Sequence, residues 1–222
     1  MTPYYDEDGI TLYHGDAREI LGQIDDHGDT CITDPVWPNS VFPGVLDPVD
    51  LSASVFDQLQ VDRLVVHLGC SSDPRFLLSV PSRFPYLRTC WLRYARPSYR
   101  GRILIGSDVA YAFGSAPGVR PGRRLLAGET CACDNSKKPY HTHSGPGEIT
   151  DWSQVPHPAP RRLEHVQFLV SVFSDSAVID PFCGIGTTLL ACKQLRVRCT
   201  GIEITERYCE IAVDRLRQGV LF

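Results

Sequence analysis

Residues Ala177-Val-Ile-Asp-Pro-Phe-Cys-Gly-Ile-Gly-Thr-Thr188 constrain this chain more than any other stretch. Val178 and Ile179 read as the end of a buried strand, which Asp180 and Pro181 stop. Gly184 and Gly186 form a tight turn, and Thr187 opens a helix that runs through Cys192. A strand, a glycine turn and a helix N-terminus leave backbone N–H groups available to a ligand. A second strand is expected over 197–204, one helix later, and its acid Glu203 stands 17 residues past Gly186. That is close to the spacing at which an acid bonds a ribose hydroxyl in nucleotide-type sites.

The rest of the chain supplies a sheet for this unit. Short strands are expected at Ile10–Tyr13, Thr30–Thr33, Arg63–Leu68 and Tyr86–Tyr94. Helices are expected near 18–24, with Asp16 as cap, near 52–60, from Ser72, over 163–173 and over 206–218. Strands alternating with helices predict an α/β fold with a mostly parallel sheet and helices on both faces. Residues 95–160 are rich in Gly and Pro and read as a less regular insertion within one domain spanning 1–222. At 222 residues the chain suits one full-sized domain.

Charge is uneven along the chain although the net is only -4. Residues 1–62 carry a net charge of -12 and residues 63–138 a net of +9. A basic face of that kind suits a nucleic-acid partner. No run approaches the ~18 apolar residues of a membrane span. The acidic, polar start does not read as a signal peptide, and the nine cysteines read as free thiols. A cytoplasmic location is the expectation.

Asp34-Pro35-Val36-Trp37 is the second chemical signal, just past an apolar strand. In α/β sheets ligands collect at such strand ends. An Asp carboxylate and a nearby backbone carbonyl accept the hydrogens of an exocyclic amine, and a flat aromatic stacks on the base that bears it. Methyl transfer to that amine needs its lone pair turned out of the ring and aimed, which is positioning and electrostatics. The base must first leave its helix.

Together the two motifs resemble those of the amino-methylating DNA methyltransferases. Phe182, Gly184, Gly186 and Thr187 match the family's Phe-x-Gly-x-Gly-Thr, and Asp34, Pro35 and Trp37 its Asp-Pro-Pro-Tyr, with Val36 at the second proline. The catalytic motif precedes the cofactor motif, the permuted order of the beta class. Tyr13-His-Gly-Asp-Ala17 is similar to the family's N-terminal segment, and His157-Pro-Ala-Pro-Arg161 to its His-Pro-Thr-Gln-Lys-Pro segment, with Arg161 or Arg162 near the basic position. The likeness covers about 10–70 and 155–217.

The resemblance implies a permuted Rossmann-like methyltransferase fold using S-adenosyl-L-methionine on double-stranded DNA. It implies catalytic roles for Asp34, Pro35 (through its carbonyl) and Trp37. It implies a cofactor site of Asp16, Ala17, His157, Asp180, Phe182, Gly184, Gly186, Thr187 and Glu203. Asp34 favours adenine N6, because the family more often has serine for cytosine N4. The competing readings are cytosine N4 methylation and a DNA-binding protein that keeps the fold without turnover. A solo, phage-borne or restriction-modification enzyme fits the size, and a homodimer would enlarge a short recognition region.

In the middle region Arg96, Arg100, Arg102, Arg120, Arg123, Arg124, Lys137 and Lys138 are the candidate phosphate contacts. Cys131, Cys133, His141 and His143 have zinc-ligand chemistry, but a one-residue gap between the cysteines is not the usual finger spacing. No metal is expected. The sequence lacks the dinucleotide pattern Gly-x-Gly-x-x-Gly, a Gly-Lys-Ser/Thr phosphate loop, the deaminase zinc motif and a Gly-x-Ser-x-Gly elbow.

Overall fold

The computed structural model describes residues 1–39, 45–69, 71–119, 130–132 and 161–218, and for 95–98 and 130–132 the backbone alone. Among the described residues one nine-stranded sheet organises the chain, in the order β1-β2-β9-β8-β3-β4-β6-β5-β7. The strands are β1 (Tyr5–Glu7), β2 (Ile10–His14), β3 (Thr30–Thr33), β4 (Arg63–Leu68), β5 (Tyr86–Arg100), β6 (Ile103–Gly114), β7 (Thr130–Ala132), β8 (Ala177–Asp180) and β9 (Arg198–Glu203). The central run β2-β9-β8-β3-β4 is parallel throughout. β1 joins one side antiparallel, and β6 and β5 join the other antiparallel.

Helices α1 (Ala17–Ile20), α2 (Pro48–Phe56), α3 (Leu163–Phe173), α4 (Thr187–Leu195) and α5 (Glu206–Arg217) cover the sheet. Period-2 alternation decides which helix meets which residue. On one face Ile32, Val65 and Val178 pack with Leu169 and Phe173 of α3 and Leu190 of α4. On the other, Cys31, Leu64 and Val66 pack with Ile20 of α1, Phe56 of α2 and Phe76. Central strands that are buried on both faces read as unbroken apolar runs, which is how β3, β4 and β8 stand out in the sequence. Phe56 and Phe76 meet edge to face, with centroids 6.2 Å apart. Each fully buried side chain of this size contributes roughly 2 kcal/mol.

The expected elements are present with shifted edges. α2 begins earlier than 52 because Asp47 accepts from the N–H groups of Val49 and Asp50, with Pro48 at the first position. The helix expected from Ser72 is a 3-10 turn over Pro74–Ser79, capped by Asp73. The first part of the 95–160 insertion is regular after all. β5 continues to Arg100 and turns through Gly101 into β6, so 86–114 is one long hairpin.

The strand ends opposite the site are tied by Asp29. Its carboxylate accepts from the N–H groups of Asp175, Ser176 and Ala177 at 2.8, 2.5 and 2.8 Å, and from Arg63 at 3.1 Å. Burial alone would raise its pKa, but the Thr30 hydroxyl and these N–H groups hold it well below the usual carboxylate range. No helix of the described residues is long and apolar enough to cross a membrane.

Candidate active site

The cofactor half forms where β8 and β9 end side by side. After Asp180 the chain turns, with the Gly186 N–H on the Cys183 carbonyl at 2.8 Å. Gly186 caps α4 in the left-handed region, at φ 77°. A Cβ there would stand 2.7 Å from the Ala212 Cβ on α5, so glycine serves both the turn and the close approach of that helix. The buried Arg215 of α5 reaches back to the Ile185 carbonyl at 2.6 Å and the Thr187 hydroxyl at 3.2 Å.

Glu203 is fixed against this turn. One carboxylate oxygen accepts from the Gly184 N–H at 2.9 Å and the other from the Thr205 N–H at 2.8 Å. Burial pushes its pKa up. β2 lies against β9 with His14 opposite Glu203, and the Gly15 N–H reaches the Glu203 carbonyl at 2.9 Å. Asp16 and Ala17 are therefore delivered to the same end of the sheet. Asp16 caps α1 and pairs with Arg18, whose hydrogen bonds lower its pKa. An acid beside a glycine turn, a helix N-terminus and a second acid one strand over match a nucleoside bearing a cationic tail. These residues fit S-adenosylmethionine.

The other half of the candidate site forms around Asp34, at the end of β3. The Trp37 indole N–H donates to Asp34 at 3.0 Å, folding the ring back over the acid. Asn39 donates to the Ser71 carbonyl at 2.7 Å and accepts from the Asp73 N–H at 3.0 Å. These bonds tie the segment after β3 to the segment after β4, and they hold the loop where Val36 cannot supply proline's fixed φ. The two halves share one cleft, lined by Asp34, His67, Arg161, Asp180, Phe182 and Thr187.

Asp180 is buried between the halves. It accepts from the Thr33 hydroxyl at 2.7 Å and the Phe182 N–H at 3.1 Å. Burial raises its pKa to about 6, against hydrogen bonds from Thr188, Thr33 and Phe182. Its hydrogen bond with Thr33 links β8 to β3.

Behind Asp34 lies a chain of charged and polar side chains, Arg161, Asp108, Tyr94 and His67. Arg161 grips Asp34 with two N–H groups, at 2.5 and 2.7 Å, and its guanidinium lies 4.6 Å from the Trp37 ring centre. Its third contact is Asp108, at 3.3 Å. Asp108 also accepts from the Tyr94 hydroxyl and lies 3.5 Å from His67. Burial would raise the Asp108 pKa, yet His67, Arg161 and Tyr94 hold it well below the usual range. Burial pushes the pKa of His67 down, and burial with His67 beside it brings His165 to about 4. His67, Asp108 and His165 place ligand atoms within 4.8 Å of one another. A guanidinium already faces Asp108, so a second cation there would be repelled.

His157, Arg120, Arg123, Arg124, Lys137, Lys138, Cys133, His141 and His143 lie outside the described residues, as do the side chains of Arg96 and Cys131. Arg100 and Arg102 are exposed at the tip of the β5–β6 hairpin. Arg161 is visible in the sequence only as a basic residue near the Lys of a degenerate motif. Asp108 and His67 are visible only as single polar residues inside apolar strands.

Comparisons with known proteins agree with this geometry. The family model for DNA methylase, of the N6/N4 methyltransferase type, matches residues 87–214, more than half of the chain. The type II methyltransferase M.ScaI of Streptomyces caespitosus is 27% identical over 258 residues, covering 96% of this chain and 83% of that protein. M.SmaI of Serratia marcescens is 37% identical over a shorter stretch, 26% of this chain and 20% of its own length. The crystal structure of the M1.HpyAVI–SAM complex superposes with a TM-score of 0.65 at 22% identity, covering 93% of this chain and 98% of that one. With its Asp-Pro-Val-Trp strand end ahead of its glycine turn in the chain, the protein belongs to the DNA methylase family, as a permuted, beta-class amino-methyltransferase dependent on S-adenosylmethionine.

Proposed function

We propose that the protein methylates the N6 amine of a specific adenine in double-stranded DNA, flipped from the helix into the cleft. The observation that carries this reading is Asp34 with Trp37 at the end of β3, one hydrogen-bonded residue away from the cofactor strand. Asp34 accepts an amine hydrogen and Trp37 offers a face to the base. The amine nitrogen gains positive charge as it takes the methyl group, and the Asp34 carboxylate stabilises that charge. S-adenosylmethionine supplies the methyl group, and Glu203, Gly184, Gly186 and Thr187 would hold it. An aspartate at position 34 favours adenine N6 over cytosine N4.

The β5–β6 hairpin supports a DNA partner. Val109 of β6 pairs with Leu68, the last residue of β4, so Ile103–Asp108 extend beyond the strand ends that carry the site. The overhang carries exposed Arg100 and Arg102 beside exposed Tyr99, Ile103 and Leu104. Cations with apolar and aromatic neighbours suit phosphates and groove edges.

The test is incubation with labelled S-adenosylmethionine and unmethylated genomic DNA, followed by nucleoside analysis. N6-methyladenine is expected. N4-methylcytosine would replace the base while keeping the chemistry. No product, despite cofactor binding, would leave a DNA-binding protein without turnover.

A further inference from the structure

Arg161 satisfies the pocket in the way a target base would. Its guanidinium is planar, it lies against the Trp37 ring, and it presents two N–H groups to Asp34. Those are the contacts that the flipped base and its amine must make: a flat face on the aromatic, and amine hydrogens on the carboxylate. The two occupants compete, because the guanidinium lies against the Trp37 ring where the base would stack and engages both oxygens of Asp34. Charge points the same way. A cation on Asp34 neutralises the carboxylate where the amine becomes positive, so the arginine must be off Asp34 when the methyl group moves.

The fold also provides a place for it to go. Asp108 already takes the third corner of the guanidinium at 3.3 Å, and Tyr94 and His67 hold Asp108 from behind. With its side chain only 9% exposed, Arg161 needs a buried counter-charge. Asp108 keeps one available when Asp34 is released, which lowers the cost of breaking a buried ion pair. On the reading of the site given above, we infer that Arg161 is a built-in occupant of the target-base pocket, displaced onto Asp108 when the base enters. Arg161 and Asp108 are thus positioning residues that set how readily the protein admits a base.

The test uses Arg161→Lys and Asp108→Asn, with the unmodified protein on a duplex carrying the site mapped from methylated product DNA. Lysine keeps the charge but loses the planar fork and the stacking. Its KM for DNA should fall, on the order of tenfold if the pocket is open about a tenth of the time. Asp108→Asn removes the alternative position and should raise KM. A residue with a merely structural role would move both variants in the same direction. In the unmodified protein, the Arg161 Nε–H resonance should shift when the duplex is added with a non-reactive cofactor analogue. That measurement stands even if a variant fails to fold. Changes of KM in one direction, or an unmoved resonance, overturn the inference alone. Failure of the unmodified protein to methylate any DNA overturns the base pocket itself.

Discussion

The Thr33 hydroxyl donates to Asp180 at 2.7 Å, across 147 positions of sequence. Thr33 precedes Asp34 and Asp180 precedes the glycine turn, so one buried hydrogen bond ties the two halves of the candidate site together.

Burial of Asp180 makes stability depend on pH in a known direction. Asp180 has a folded pKa of about 6, above the roughly 3.9 of an unfolded aspartate. The folded state therefore binds more protons than the unfolded state between these values, and stability falls as pH rises from about 4 to 6. The cost at pH 7 is on the order of 3 kcal/mol. Asp180→Asn removes this slope. Urea unfolding at pH 4.5 and 7.5 should show the variant gaining on the unmodified protein at the higher pH. A constant gap would mean that Asp180 titrates normally.

Asp34→Ala should lower kcat at least about a hundredfold, since it removes the acceptor that orients the amine. Cofactor affinity should be kept, because Glu203 and the glycine turn are untouched. Calorimetry with S-adenosylmethionine beside a methylation assay separates the two effects.

Gly186→Ala should damage both folding and cofactor binding. The position combines φ 77°, which strains an alanine whatever the space around it, with a Cβ 2.7 Å from that of Ala212, which a shift of α5 must relieve. Strain of this kind costs about 1–3 kcal/mol. A thermal midpoint within a degree of the unmodified protein would show that α5 yields freely.

Replacing Arg100 and Arg102 together by Ser should weaken DNA binding at every sequence tested. The slope of log affinity against log salt should fall by about two. An unchanged slope would place the DNA away from the hairpin tip.

The sequence discloses the parts of this protein whose signals are local. β3, β4 and β8 are short apolar runs because both of their faces are covered. Asp34, Gly186 and Glu203 stand in motifs whose spacing is set by a strand, a turn and a helix. The β5–β6 hairpin was harder to read. Its outer half overhangs the sheet, so it has no buried face to impose alternation, and its register shifts between Arg93 and Ser98. Asp108 is silent in the sequence for another reason. It matters only because β6 lies against β4, which brings it to His67 and Arg161, and no short-range pattern encodes that pairing.

The strand order has a consequence for how the enzyme comes into being. β2 and β3 follow each other in the chain, yet β9 and β8 lie between them. Without residues 177–203, β2 has no parallel partner and β3 is paired on one side alone. The C-terminal β8–α4–β9 unit meets both needs at once and carries the glycine turn with it. Synthesis broken off before that unit yields a polypeptide that has Asp34 but lacks the Thr33–Asp180 bond and the glycine turn.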